Sequence, residues 1–260
     1  MTAADIVAYI GAAAWLPQLG AWIYNAVSRP KLKLVSAGKI EIGFSMFGPI
    51  ANATLAVSTE RRDALIERIT LDVTHEQGER RHLVWRFLNE NQQQIRDPQG
   101  NISSQYKNNP AVALKVSTLS LAERTVGFHD PAFEDMDRST TARIAAQFQH
   151  SESQIGNAAA LDQLFQSMEF QQAQRAFENF MYWRAGKWEF LFFMQLAGVK
   201  KPHTQRFAVT FTDDDVTMLR KNFELLVPYV RATLSANPDE RKLITWYWTY
   251  PAITAVSGSL

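Results

Sequence analysis

Cysteine is absent from the 260-residue sequence, so neither a disulfide framework nor a thiolate zinc site can be built, and the chain suits a reducing compartment. Charge of one sign is scarce too: 27 Lys and Arg stand against 26 Asp and Glu, leaving +1 and a pI near 8.0. Nucleic-acid binding usually leaves a concentrated basic footprint, so no nucleic acid partner is expected. Catalytic signatures are missing as well. There is no G-x-S-x-G elbow, no phosphate-cradling glycine loop, no H-E-x-x-H pair and no calcium-loop spacing. No cofactor is therefore expected, and an enzyme is the less favoured class.

The most conspicuous absence is local. From Ile6 to Val27 no side chain is charged; Asp5 precedes the run and Arg29 follows it. As a helix this run reaches roughly 30 Å, the thickness of a bilayer's hydrocarbon core. Pro17, Gln18 and Asn25 weaken that reading, and a helix packed into a core or lying on a surface is its rival. No polar stripe opposes the aromatic residues, however, as it would on a soluble amphipathic helix. The expectation is a single-pass transmembrane helix within residues 1–30, with Trp15, Trp22, Tyr24, Arg29, Lys31 and Lys33 as membrane-anchoring residues. The basic flank after the helix orients the N-terminus outside and residues 31–260 in the cytoplasm.

What is abundant is apolar surface: 46% of residues are hydrophobic and 12% aromatic, enough for a sizeable core after residue 30. Period-two alternation marks the first half. Ile40, Ile42, Phe44 and Met46 alternate with polar or small residues, as do Ala53, Leu55 and Val57, then Ile69, Leu71 and Val73, then Leu83, Trp85 and Phe87. Residues 76–79 form a hairpin turn. Asn89 to Pro110 is rich in Asn, Gln and Ser and predicts a long exposed loop. Val112 to Val116 and Val126 with Phe128 add strands. The spacing predicts an antiparallel, immunoglobulin-like sandwich of two sheets.

Charge then shifts, with net +4 over residues 29–128, −5 over 129–182 and +3 over 183–260. The acidic block carries helical spacing over Phe133–Phe148 and Asn157–Tyr182, which predicts a helical insertion at about 130–183. Trp188 to Leu196 is apolar on both faces and should be a central strand. Arg206 to Phe211 is another strand. Thr212 with Asp215 is a capping box that starts a helix running to Leu234 with a kink at Pro228. Leu243 to Tyr250, ending in WYWTY, reads as a last strand.

Few residues suggest chemistry. His129, Asp130, Glu134, Asp135 and Asp137 place one imidazole and four carboxylates within nine residues. Asp130 before Pro131 also reads as a helix start whose acids complement the dipole, and this reading is preferred, so no metal site is expected and His129, Asp130 and Glu134 are only weak metal candidates. His75 and His82 flank the hairpin and can approach across it without a third ligand. Core packing is the ordinary role for the remaining aromatic residues; Trp246 and Trp248, if exposed together, are the candidate binding residues. The functional expectation is a membrane-anchored binding or scaffold protein whose body recruits a protein partner or senses a ligand, with the lipid bilayer and a protein as partners. The alternative is an enzyme with a site near His129 and its acids, between the helical insertion and the sheet.

Overall fold

Antiparallel pairing governs the body of the chain. A computed structural model describes residues 14–24, 30–96, 102–235 and 244–256. In chain order the strands are β1 (Lys31–Ser45), β2 (Gly48–Glu60), β3 (Ala64–His75), β4 (Arg80–Arg96), β5 (Ile102–Pro110), β6 (Leu114–Val116) and β7 (Ala122–His129), then, after three helices, β8 (Gly186–Leu196) and β9 (His203–Phe211), and finally β10 (Trp248–Thr249) and β11 (Ile253–Ala255). They form one mainly antiparallel sheet in the order β10-β1-β2-β7-β4-β3-β8-β9-β11, with β5 added to β4 and β6 to β3. The sheet curls into a half-barrel, so the sandwich-like core is enclosed by one bent sheet and not by two facing ones. β8 is central, as its composition predicts, lying between β3 and β9.

Curling brings the two edge strands within reach of one short segment. Gly43 of β1 pairs with Trp248 of β10, and Ile253 of β11 pairs with Val209 of β9. Between them Lys39 bridges to Ala252 and the Ile40 amide donates to Pro251 O at 3.1 Å. A C-terminal strap thus ties one edge to the other. Gly43 is required there, because a Cβ would overlap the Trp248 ring.

The alternating residues of β1, β2, β3, β4, β7, β8 and β9 line the concave face. Ile40, Ile42, Leu55, Leu71, Val73, Leu83, Phe128, Phe190, Phe192, Phe207 and Phe211 are fully or almost fully buried. Trp183, just before β8, plugs the space: its ring lies 5.5 Å from Phe211 and 5.4 Å from Trp188, and its Nε1 donates to Gly43 O at 3.3 Å. Aromatic pairs of this kind add about 0.5–1.5 kcal/mol each beyond the area they bury.

Helices α2 (Pro131–Ile155), α3 (Asn157–Gln166) and α4 (Met168–Asn179) fall between β7 and β8, and α5 (Asp213–Arg220) and α6 (Phe223–Leu234) follow β9. They join the sheet through Phe44, Phe133 and Phe177, which pack with Phe223 and Leu226. A separate cluster of Phe148, Leu161, Leu164 and Phe170 holds the helices to one another, with Val227 and Val230 against it. The Thr212–Asp215 capping box is present, Thr212 Oγ1 accepting from the Asp215 amide at 3.1 Å and Asp215 Oδ2 from the Thr212 amide at 2.8 Å.

Several expectations are corrected. The polar stretch expected as a loop is instead a hairpin arm, with Asn89 opposite Asn108 in the β4–β5 ladder; residues 97–101 lie outside the described residues. The segment 157–182 is two helices, because Ser167 ends α3 and caps α4 by accepting from the Phe170 amide at 3.1 Å. The late helix is divided at Lys221–Asn222 into α5 and α6, and Pro228, where a kink was expected, sits inside α6. Of the expected last strand, Leu243 lies outside the described residues, and among residues 244–250 only Trp248 and Thr249 are strand. The described part of the N-terminal helix α1, residues 14–24, rises about 16 Å, roughly half a hydrocarbon core. Among the described residues no helix is long and apolar enough to cross a membrane. The uncharged residues on either side of α1, and Arg29, lie outside the described residues.

The break between α5 and α6 has a cause. Asn222 is fully buried, its Nδ2 donating to Phe44 O at 2.7 Å and Tyr247 O at 2.9 Å, while its Oδ1 accepts from the Tyr247 amide at 2.8 Å. One side chain therefore joins helix, β1 and strap. Asn222→Ala would strand the buried Phe44 carbonyl, at a cost of about 1–3 kcal/mol, and remove two part-buried bonds to Tyr247 worth about 0.5–1.5 kcal/mol each, so a total loss of about 2–6 kcal/mol is expected. Urea denaturation of the two proteins measures it, and a loss under about 1 kcal/mol would remove Asn222 from this role.

Candidate functional site

The site forms where β7 turns into α2. His129 ends β7, pairing with Ile50 of β2 and Val84 of β4, and Asp130 caps the helix, its Oδ1 accepting from the Ala132 amide at 2.9 Å with Pro131 in the first turn. The cap is a buried carboxylate, so its oxygen is committed to the helix backbone. Glu134 stands one turn further on. Arg86 of β4 reaches it in a two-pronged ion pair, Arg86 Nε donating to Glu134 Oε1 at 2.6 Å and Arg86 Nη2 pairing with Oε2.

His129 is wedged between rings. Phe47 stacks on it at 6.2 Å and Phe87 meets it edge-on at 5.9 Å. Its Nδ1 lies 3.7 Å from Glu134 Oε1, beyond hydrogen-bond distance, and its buried Nε2 has no partner among the described residues. Burial first, and the Arg86 charge second, push its pKa down to about 4, so the imidazole is neutral at pH 7.

Asp137 lies on the same helix face one turn beyond Glu134. Thr141 Oγ1 donates to its Oδ1 at 3.2 Å, and burial raises its carboxyl above the ordinary range despite that bond. His129, Glu134, Asp137, Arg138 and Thr141, with Phe47, line an open cleft of about 540 Å³. The structure thus brings His129, Glu134 and Asp137 to one space, turns Asp130 into the helix backbone and leaves Asp135 exposed. Among the described residues no group of three or more metal-ligating side chains is arranged to hold an ion.

A second polar cluster escaped the sequence reading. Asp72 of β3, almost wholly buried, pairs with Arg80 and lies 2.6 Å from His82 Nδ1. Burial alone would raise the Asp72 carboxyl; hydrogen bonds from His82 and Arg80 overcome this and hold it below the usual range. The signal was present, since a four-residue turn in the 76–79 hairpin sets Asp72 opposite His82. The cluster borders a cleft of about 390 Å³ with Arg68, Thr70, Phe193 and Gln195. Asp72 orients the imidazole as in a catalytic dyad, but no hydrogen bond links Thr70, the one hydroxyl in the lining, to His82. His75 and His82 do not meet. His75 is buried on the opposite face, its Nε2 3.1 Å from Ala185 O and its ring 4.8 Å from Trp188.

The remaining candidates separate by position. Trp15 and Trp22 are each 69% exposed and Tyr24 is exposed beside them on α1. Lys31 and Lys33 project from the outer face of β1, Lys31 lying 3.9 Å from Glu60. Trp246 is half-buried 5.6 Å from Tyr229, and Trp248 is half-buried over Gly43. Tyr247 and Tyr250 are the exposed rings of the strap. Compared with protein-family models, with curated proteins and with solved structures, the chain matches none.

The depressed His129 pKa makes stability depend on pH. The unfolded chain binds a proton near pH 6.5 and the folded one only near pH 4, so the contribution of the neutral imidazole is complete above about 6.5 and is lost as pH falls toward 4. Between pH 7 and pH 4.5 the unfolding free energy of the native chain should therefore drop by about 2–3 kcal/mol more than that of His129→Phe. His203, whose pKa burial also lowers, is common to both chains and cancels. Parallel urea titrations at the two pH values measure the difference; equal drops would refute the buried, neutral His129.

Proposed function

We propose that this chain is a binding protein tethered to a lipid bilayer by its N-terminal segment, with the curled sheet and its helices presenting the clefts that take up a ligand or a protein partner. The observation that carries this reading is α1 itself. Trp15, Leu16, Leu19, Trp22, Ile23 and Tyr24 are all at least half exposed, the first five on one side of the helix by their spacing, and burying such side chains is worth about 1.5–3 kcal/mol each. Lys31 and Lys33 follow on exposed positions, where cations gain about 1 kcal/mol each near anionic headgroups. In the fuller form of the proposal the uncharged run from Ile6 to Val27 crosses the bilayer once, N-terminus outside, and the body lies in the cytoplasm, because basic flanks stay on that side. An immunoglobulin-like architecture for the β body belongs to the same proposal.

A second reading has one observation in its favour. The cleft that joins His129 to Glu134 and Asp137 is the arrangement an enzyme of the sheet–helix junction would need. A neutral imidazole at pH 7 has the protonation state of a general base. Yet a pKa near 4 makes it a weak one, and Glu134 is held by Arg86, which is why binding is the preferred function.

Flotation with vesicles tests the tether. The full chain should rise with vesicles containing anionic lipid, and removal of residues 1–30 should leave it at the bottom of the gradient. Replacing Arg29, Lys31 and Lys33 by Gln should weaken binding roughly fivefold per charge. A full chain that stays in the aqueous fraction with every vesicle composition refutes the proposal.

A further inference from the structure

Next to the His129 cleft a second, partly open space of about 150 Å³ lies between α2, α4 and α6. Its wall is apolar, with Met136, Ile144, Phe170, Phe177, Leu226 and Val230 contributing most of it. A mostly apolar space of this volume accommodates a benzene ring. Asp137 stands at the boundary, lining both the cavity and the cleft. It accepts one hydrogen bond from Thr141, and among the described residues no Lys or Arg forms an ion pair with it; Arg138, which lines the cleft, does not.

We propose that this junction binds a primary ammonium carried on a single aromatic ring or short alkyl chain, the apolar part filling the cavity between α2, α4 and α6 and the ammonium lying against the Asp137 carboxylate. The occupant follows from two complementarities. The wall is mostly apolar and offers chiefly dispersion contacts to the inner part of a ligand. The rim offers a half-buried carboxylate whose charge no neighbouring cation balances, and the burial that raises its carboxyl is a penalty that a bound cation offsets. An anionic head is repelled at the same place, and a neutral hydroxyl forgoes the charge-assisted hydrogen bond. The inference does not depend on membrane attachment.

Ligand-detected NMR titrations of the full chain at pH 7 with benzylamine, benzyl alcohol and benzoate test it. Benzylamine is expected to bind roughly tenfold more tightly than benzyl alcohol, with benzoate weakest. Asp137→Asn should bring benzylamine down to the level of benzyl alcohol and leave benzyl alcohol unchanged. Ala173→Leu, which fills the cavity from α4, should abolish binding of both; Ala145→Leu on α2 serves if circular dichroism shows the first variant to be misfolded. Equal binding of benzylamine and benzyl alcohol, a preference that survives Asp137→Asn, binding unaffected by filling the cavity, or no saturable binding of any probe would overturn the proposal.

Discussion

Closure of a curled sheet by its own C-terminal strap is the constraint on which the structure depends. An open antiparallel sheet ends in two rows of unpaired backbone groups, a standing invitation to wrong pairing. Here a few residues cover part of both rows, β10 on β1 and β11 on β9. The strap is held in turn by side chains from the last helices. Asn222 grips both backbone groups of Tyr247, and the free oxygen of the Asp215 capping box accepts from Thr249 Oγ1 at 2.7 Å. The α5–α6 junction is therefore as much a latch for the sheet as a covering for it.

That latch explains why the interior is so aromatic. A half-barrel encloses a wide space, and Trp183, Trp188, Phe190, Phe192, Phe207 and Phe211 fill it with large rigid surfaces at little entropic cost. Trp183 also hydrogen-bonds to Gly43, the residue whose missing side chain admits Trp248 on the strap. The plug inside and the strap outside thus converge on one glycine of β1. Loosening either one disturbs the seating of the other.

These same elements mark where the sequence was and was not legible. Strands with one buried face announced themselves by alternation, and β8 by being apolar on both sides. The β4–β5 arm did not, because it is built by backbone pairing between polar residues, to which a hydrophobic period is blind. WYWTY has strand composition, yet Tyr247 gives its N–H and C=O to Asn222 and not to a neighbouring strand. Helix termini followed the same logic. The late helix reads as one run to Leu234, but a buried asparagine with three backbone partners divides it six residues before Pro228. Local propensity is a weak prior against a tertiary hydrogen-bond network.

The acidic stretch after His129 shows how neighbours in sequence diverge in role. Asp130 and Glu134 fall on the first turn of α2, where the helix dipole favours both, and each is then satisfied: one by the helix backbone, the other by Arg86 from the sheet. Asp137 comes a turn too late to benefit from the dipole and faces the seam between helices, where Phe133 and Met136 have already made the surroundings apolar. The helical repeat that gives α2 its packing face is thus what puts one carboxylate at the lip of a mostly apolar space. Burial there disfavours its charged form, and the hydrogen bond from Thr141 offsets that only in part.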